Sequence, residues 1–183
     1  VDFFNKIGAD ISKRLILFAP AGTILSDADS DVCDILKKAI VNNKMLEPTQ
    51  VLVRNHPHHP AVLDMYIGDK DLIIDNPGMR IGNNPKEAEL TKSDTIHLGD
   101  SLCYSDIIIY TATTLGIDSL IFNKPQIIID FDGYKNKKYT QSVRRYHNED
   151  HMKKMIDCGG VCVVSSEDEL IEAINAYYKN PDM

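Results

Sequence analysis

Ile107-Ile108-Ile109-Tyr110-Thr111-Ala112-Thr113-Thr114 is the stretch that decides the fold. Its first four residues are apolar with no polar alternation, so the segment has no side that tolerates water. A short extended run of that kind is a strand covered on both faces. A hydroxyl-rich turn follows at once and leads into a helical pattern over Thr114 to Phe122. Strand, polar turn and helix in that order form the repeating unit of a parallel sheet, because parallel neighbours need a long crossover between them.

The same rhythm continues in both directions. Towards the N-terminus, Leu15-Ile16-Leu17-Phe18 is an apolar run ended by Pro20-Ala21-Gly22, and Val32, Ile35, Leu36, Ala39 and Ile40 recur at helical spacing. Val51-Leu52-Val53 and Leu72-Ile73-Ile74 are further strands. Asn76 to Ser93, rich in Gly, Pro and Asn, predicts a loop, and Ile96 to Tyr104 a helix. Towards the C-terminus, Ile127-Ile128-Ile129 predicts a strand, Val143 to Ile156 one charged helix, and Val161-Cys162-Val163-Val164 the last strand. Ser166-x-x-Glu169 reads as a capping box opening a final helix, whose apolar face is Leu170, Ile171, Ile174, Tyr177 and Tyr178. The predicted fold is α/β, a doubly wound parallel sheet with helices on both faces, residues 1–183 forming a single domain.

Composition narrows the function classes. The chain has 183 residues, 43% of them hydrophobic and 26% charged, with a net charge of −7. That balance argues against a binder of nucleic-acid backbones. No apolar run is long enough to span a bilayer, and Val1-Asp2-Phe3-Phe4 lacks the basic segment of a secretory signal. The expected location is cytoplasmic, with peripheral contact at the inner face of the cell membrane as an option. The first residue is not Met, which suggests a fragment or processed chain. The four cysteines, Cys33, Cys103, Cys158 and Cys162, form no CxxC pair and read as buried free thiols.

In a sheet of this class, ligands bind beyond the carboxyl ends of the strands. Four turns qualify: Ala19 to Thr23, including Gly22 and Thr23; Arg54 to Pro60, including His56; Thr111 to Thr114; and Asp130 to Tyr134, including Asp132. A threonine cluster between strand and helix can hold phosphate oxygens, although Thr113 can equally cap its own helix. Neither GxGxxG nor GxxxxGK[ST] is present, which disfavours a dinucleotide dehydrogenase or P-loop kinase. His56, next to Pro57, can donate a hydrogen bond to a phosphate or leaving-group oxygen, or be a surface histidine in a proline-rich turn. Prolines interrupt any i,i+4 spacing of His56, His58 and His59, so no metal site is expected. Asp130 and Asp132 are candidates for contact with a transferred group, or for turn-forming carboxylates before Gly133. Lys135 to Lys138, Arg144 and Arg145 form a basic patch able to face a diphosphate, an anionic lipid or solvent. Tyr134 and Tyr139 either stack on a base or sugar or pack the loop.

Several segments together resemble a known family. Val51-Leu52-Val53-Arg54-Asn55-His56-Pro57 is similar to the RxHP segment of bacterial surface-polysaccharide glycosyltransferases of the GT-B type, and of the related CDP-glycerol glycerophosphotransferases. His97 to Asp106 resembles their helix before an (S/A)D strand, and Thr113-Thr114-Leu115-Gly116-Ile117-Asp118 their Ser-Ser/Thr turn with an acidic residue four positions on. Lys124-Pro125-Gln126-Ile127-Ile128 and the tail from Ser165 to Pro181 complete a resemblance that runs from about Lys13 to Pro181. Threonine replaces the family's usual serine. Asp118 sits closer to the glycerophosphotransferases, whereas Phe131 to Arg145 looks more like the sugar transferases.

The resemblance implies the C-terminal, Rossmann-like donor lobe of a two-lobed transferase acting in cell-surface polysaccharide synthesis. Such a lobe lacks the N-terminal acceptor lobe and is inactive alone. It also implies that His56 and Thr113/Thr114 hold the donor diphosphate, with His56 the catalytic residue, and that Asp118 meets a ribose hydroxyl. The expected donor contacts are Gly22, Thr23, Arg54, His56, Thr111, Thr113, Thr114, Asp118 and Asp132. No tightly bound cofactor is expected. The implied substrates are a UDP-, GDP-, CDP- or CMP-linked donor and a glycan or lipid-linked acceptor. A CDP-glycerol-type glycerophosphotransferase lobe and a non-catalytic nucleotide-binding module are the alternatives, with an epimerase acting on UDP-sugars, of similar two-lobed plan, ranked behind them.

Overall fold

The apolar runs pair as parallel strands, as their lack of a wet face requires. The computed structural model describes residues 2–80 and 88–181. In chain order the elements are α1 (Asp2–Ile7), β1 (Arg14–Ala19), α2 (Asp29–Val41), β2 (Thr49–Arg54), β3 (Leu72–Asp75), β4 (Met79–Arg80) and β5 (Ala88–Glu89). They continue with α3 (Lys92–Tyr104), β6 (Ile107–Tyr110), α4 (Leu115–Ser119), β7 (Gln126–Ile129), α5 (Asp150–Asp157), β8 (Cys162–Val164) and α6 (Glu167–Lys179). The main sheet has six strands in the order β3-β2-β1-β6-β7-β8, and every neighbouring pair is parallel.

This order reverses direction at its centre. From β1 the chain adds β2 and β3 on one side, then returns to place β6 against the other edge of β1, with Ile16 opposite Ile107 and Phe18 opposite Ile109. Strand side chains alternate between faces, so each central strand feeds two cores. Ile16, Phe18, Val51, Val53, Ile107 and Ile109 face α2 and α6, whose Leu36, Leu170 and Ile174 are fully enclosed. Leu15, Leu17, Leu52, Ile108 and Ile128 face the opposite way, towards Phe3 of α1, Leu102 of α3 and Met152 and Met155 of α5.

Local structure departs from the sequence reading in a few places. Within Asn76 to Ser93, β4 and β5 form an antiparallel pair, and α3 already begins at Lys92; residues 81–87 of that predicted loop lie outside the described residues. The start of α3 is fixed by a capping box in which Thr91 accepts from the Asp94 N–H and Asp94 accepts from the Thr91 N–H at 2.8 Å. The charged helix predicted from Val143 to Ile156 is broken: a 3-10 segment over Val143–Asn148 ends at extended Glu149, and α5 follows. Val143 and Met152 are both buried, yet nine positions apart they would fall on opposite sides of a continuous helix of 3.6 residues per turn. At the start of α6, Ser166 accepts from the Glu169 N–H, but the Glu169 carboxylate reaches back to the N–H of Ser165 rather than Ser166. Of the four free thiols only Cys33 is buried, whereas Cys103 and Cys158 are exposed and Cys162 is half-buried.

One contact sets where α4 sits on the sheet. Tyr110, the last residue of β6, is fully buried, and its hydroxyl donates to the buried Gln126 carboxamide at 2.9 Å. Gly116 of α4 lies directly on that ring: a Cβ there would stand 2.4 Å from Cζ and 2.6 Å from Oη. A rigid, enclosed ring cannot swing away from an added methyl without opening the core. Gly116→Ala is therefore expected to destabilise the fold by about 1–3 kcal/mol through overpacking. The check is the urea midpoint, and an unchanged midpoint would show that Tyr110 moves at no cost.

Candidate functional site

The reversal between β1 and β6 opens a crevice at the carboxyl end of the sheet, the place where doubly wound folds bind ligands. A cavity of about 230 Å³ occupies it, lined by Ala19 and Pro20 after β1, by Arg54, Asn55 and His56 at the end of β2, and by Thr113, Thr114 and Asp118 at the turn into α4. Residues from three separate turns thus meet in one cleft.

The His56 turn is tied shut from inside. Asn55 is buried; its Oδ1 accepts from the Ala61 N–H at 3.1 Å and its Nδ2 donates to Asn76 at 2.8 Å. His56 caps the same turn, with Nδ1 accepting from the backbone N–H groups of His58 and His59, each at 3.2 Å. An imidazole nitrogen that accepts carries no proton, so the ring proton is on Nε2. Partial burial, and then the neighbouring His59 and His58, push the His56 pKa below its ordinary value. Its ring stacks on His59 at 5.3 Å. The result is a neutral histidine with a fixed tautomer and one N–H without an acceptor among the described residues.

Arg54 lines the cleft but is 7% exposed, and its charge is committed. Nη1 pairs with Asp75, and Nη2 donates to the Asp94 carbonyl at 3.2 Å. The Asp75 carboxylate also lies 3.3 Å from His97 Nε2. Thr113 Oγ1 accepts from the Leu115 N–H at 3.3 Å, so it does cap the turn, while its own hydroxyl proton remains to donate. The carbonyl of Thr114 accepts from the N–H of Ile117 and Asp118, which sets Asp118 one turn along, exposed on the cleft. The α4 helix has only five residues, so hydroxyls rather than a helix dipole dominate this edge.

The other residues nominated from sequence fall elsewhere. Thr111 is buried behind the turn. Gly22 packs against the His turn with φ +84°, and a Cβ there would meet the His59 carbonyl at 2.3 Å. Thr23 lines a neighbouring cavity of about 240 Å³ with Ser26, Asp27 and Asp29. Asp132 is buried, accepts from the Val143 N–H at 2.9 Å and lines a third cavity, of about 390 Å³, at the ends of β7 and β8. Asp130 lines that cavity too, with Oδ1 3.0 Å from His147 Nδ1. Burial raises the Asp130 pKa and lowers that of His147, while their mutual attraction opposes both shifts.

The basic patch is largely engaged within the chain. Lys135 and Lys137 both pair with Asp27, whose pKa their hydrogen bonds hold down at about 2. Arg144 and Arg145 donate to backbone carbonyls of Lys137 and Thr140. The Tyr134 hydroxyl donates to Asp34 at 2.7 Å, so that ring packs the loop onto α2. Among the described residues no group of three or more His, Cys, Asp or Glu side chains is placed to hold a metal ion. No described helix is long and apolar enough to cross a membrane.

Sequence reasoning missed Asn55, Asp75, Asp29 and His147. Asp29, in the first turn of α2, is the clearest loss: its two carboxylate oxygens accept from the N–H groups of Ala21 and Gly22 at 3.0 and 2.9 Å. An aspartate at a helix start signals a cap, but not that it would close the turn preceding it.

No protein-family model matches the chain, and no curated protein matches it. Among solved structures, a protein assigned as a UDP-N-acetylglucosamine 2-epimerase from Listeria monocytogenes is 14% identical over 98% of this chain and 39% of its own, with a TM-score of 0.53. The wall teichoic acid polymerase TagF is 14% identical over 97% of this chain and 41% of its own, with a TM-score of 0.49. The likeness to the first shows a shared fold. The chain spans about two fifths of the length of either protein.

Burial drives Asp29 up to about 6, from an ordinary aspartate value of 3.8, against the effect of its two hydrogen bonds. Between those two values the folded state keeps a proton that the unfolded chain has released. This group's contribution to stability therefore falls as pH rises through that window. Asp29→Asn is expected to abolish the slope. Relative to the protonated carboxyl, at the acid end of that window, it should also cost about 1–3 kcal/mol, because its amide leaves one loop N–H without an acceptor. Denaturant midpoints of both proteins across pH 4 to 7, about the range bracketed by the two values, make the comparison; parallel profiles of equal stability would refute it.

Proposed function

We propose that this chain is the donor-binding lobe of a glycosyltransferase that uses a nucleotide-activated sugar in cell-surface polysaccharide synthesis. The observation that carries the reading is the convergence of His56, Thr113, Thr114 and Asp118 on one cleft at the sheet's reversal point. The shared fold with the epimerase-like structure supports it at the level of architecture alone.

On this reading the donor's diphosphate sits between the His56 turn and the threonine turn. His56 donates its Nε2–H to the leaving-group oxygen, where negative charge grows as the bond to the sugar breaks. The hydroxyls of Thr113 and Thr114 donate to the remaining phosphate oxygens, and Asp118 accepts from a ribose hydroxyl. Arg54, neutralised by Asp75, shapes the wall. The acceptor, a glycan or lipid-linked species, and the general base that deprotonates it belong to a second lobe. The donor is UDP-, GDP-, CDP- or CMP-linked; no tightly held cofactor takes part.

Titration calorimetry with UDP, GDP, CDP and CMP tests the reading and identifies the base. One nucleotide is expected to bind, and His56→Ala to weaken it by about 1–3 kcal/mol. Unchanged affinity in a folded His56→Ala protein removes His56 from the site. Asp118→Asn is expected to weaken the ribonucleotide more than its 2′,3′-dideoxy counterpart; equal losses would make Asp118 structural.

A further inference from the structure

The largest of these cavities is not the His56 cleft. It lies at the carboxyl ends of β7 and β8, and its volume of about 390 Å³ falls within the range of small-molecule sites. Its wall carries three carboxylates, Asp130, Asp132 and Glu167, against two cations, Lys135 and Arg144, with Asn136 at the exposed rim. Lys135 already pairs with Asp27 at 2.9 Å. The balance is negative, which repels a phosphate and favours a neutral ligand rich in hydroxyl donors.

The two inner carboxylates have different duties. Asp132 is buried and bound to the Val143 N–H, so it holds the loop. Asp130 is held from behind by His147 Nδ1 at 3.0 Å, and it still borders the cavity. A carboxylate fixed on one side and open on the other accepts well from vicinal hydroxyls, because its orientation costs nothing further on binding. Arg144 adds a donor: Nε and Nη2 bond Ser142 and the Lys137 carbonyl, and Nη1 has no partner among the described residues.

We propose that the β7–β8 cavity is a second subsite that binds a neutral polyhydroxylated group, a sugar or polyol, with Asp130 as the hydroxyl acceptor, His147 as its positioning residue, and Arg144 and Asn136 as donors. Adjacent strands lie about 4.8 Å apart, so this cavity is roughly two strands, about 10 Å, from the reversal point. That spacing suits a group attached to a diphosphate in the His56 cleft; the link between the cavities, though not the subsite itself, rests on the donor reading.

The test is amide NMR of the labelled chain, titrated separately with glucose, N-acetylglucosamine, glycerol and inorganic diphosphate. At least one neutral probe is expected to shift Asp130 to Gly133 and Ser165 to Glu167. Asp130→Asn should weaken that probe by about tenfold or more while leaving diphosphate shifts near His56 and Thr113 intact. Asn136→Ala, on an exposed rim, should also weaken it and serves where Asp130→Asn does not fold. The proposal is overturned if no neutral probe moves this cavity, if diphosphate occupies it in preference, or if folded variants bind the probe as the unaltered chain does. Sugar shifts at Asp130 without diphosphate shifts at His56 would instead overturn the donor reading and leave the subsite standing.

Discussion

β1 and β6 pair over Ile16 to Ala19 and Ile107 to Tyr110, although most of the first half of the chain lies between them. That pairing is the constraint on which the site depends. With β1 and β6 adjacent, the turn after β1 and the turn after β6 diverge to opposite sides, and the gap between them cannot be filled by either crossover. Side chains from β2 and from the start of α4 reach into that gap because their own strands flank it. The pairing is held by more than its ladder. Asp106, just ahead of β6, accepts from the Leu15 N–H at 2.8 Å and from Arg14 at 2.9 Å, which fixes the register where β6 enters the sheet.

Register brings the turns to the same edge; buried side chains give them shape. Asn55 closes the His turn by bonding Ala61 and Asn76, and Asp29 closes the turn after β1 by bonding Ala21 and Gly22. Gly22 then lets the two turns touch, since no Cβ fits against the His59 carbonyl. These polar groups are costly to bury without partners, and each has one. A loop wall assembled in this way is formed before any ligand arrives, which removes the ordering cost from binding.

How legible this was depends on the range of the interaction concerned. The strands and their parallel pairing were readable because Ile107 to Tyr110 and Ile127 to Ile129 are apolar on both sides, a local property with a single structural solution. That His56, Thr113, Thr114 and Asp118 line one cleft was legible because all four follow strand ends, which a parallel sheet gathers along one edge. Asp132 follows a strand end by the same rule but lines another cavity, since the rule does not say which strands are neighbours. The break at Glu149 was hidden because charged residues obscure the phase of Val143 and Met152. Asp29, Asp75 and His147 act through partners distant in sequence or across a turn, and no local pattern marks such pairings.

The electrostatics of the cleft bear on what its donors can do. Arg54 brings a positive charge to the wall, but Asp75 offsets it, and His56 is held neutral by its Nδ1 bonds and by burial. The donors facing the cleft are therefore uncharged. A neutral N–H binds a resting diphosphate modestly, and its hydrogen bond strengthens as charge accumulates on the acceptor oxygen. On the proposed reading that difference favours the transition state over the bound donor, which is the condition for binding energy to speed the reaction. A lysine at the same place would attract ground state and transition state together. On the same reading, the backbone N–H groups of His58 and His59, by fixing the tautomer of His56, favour developing charge over the resting donor.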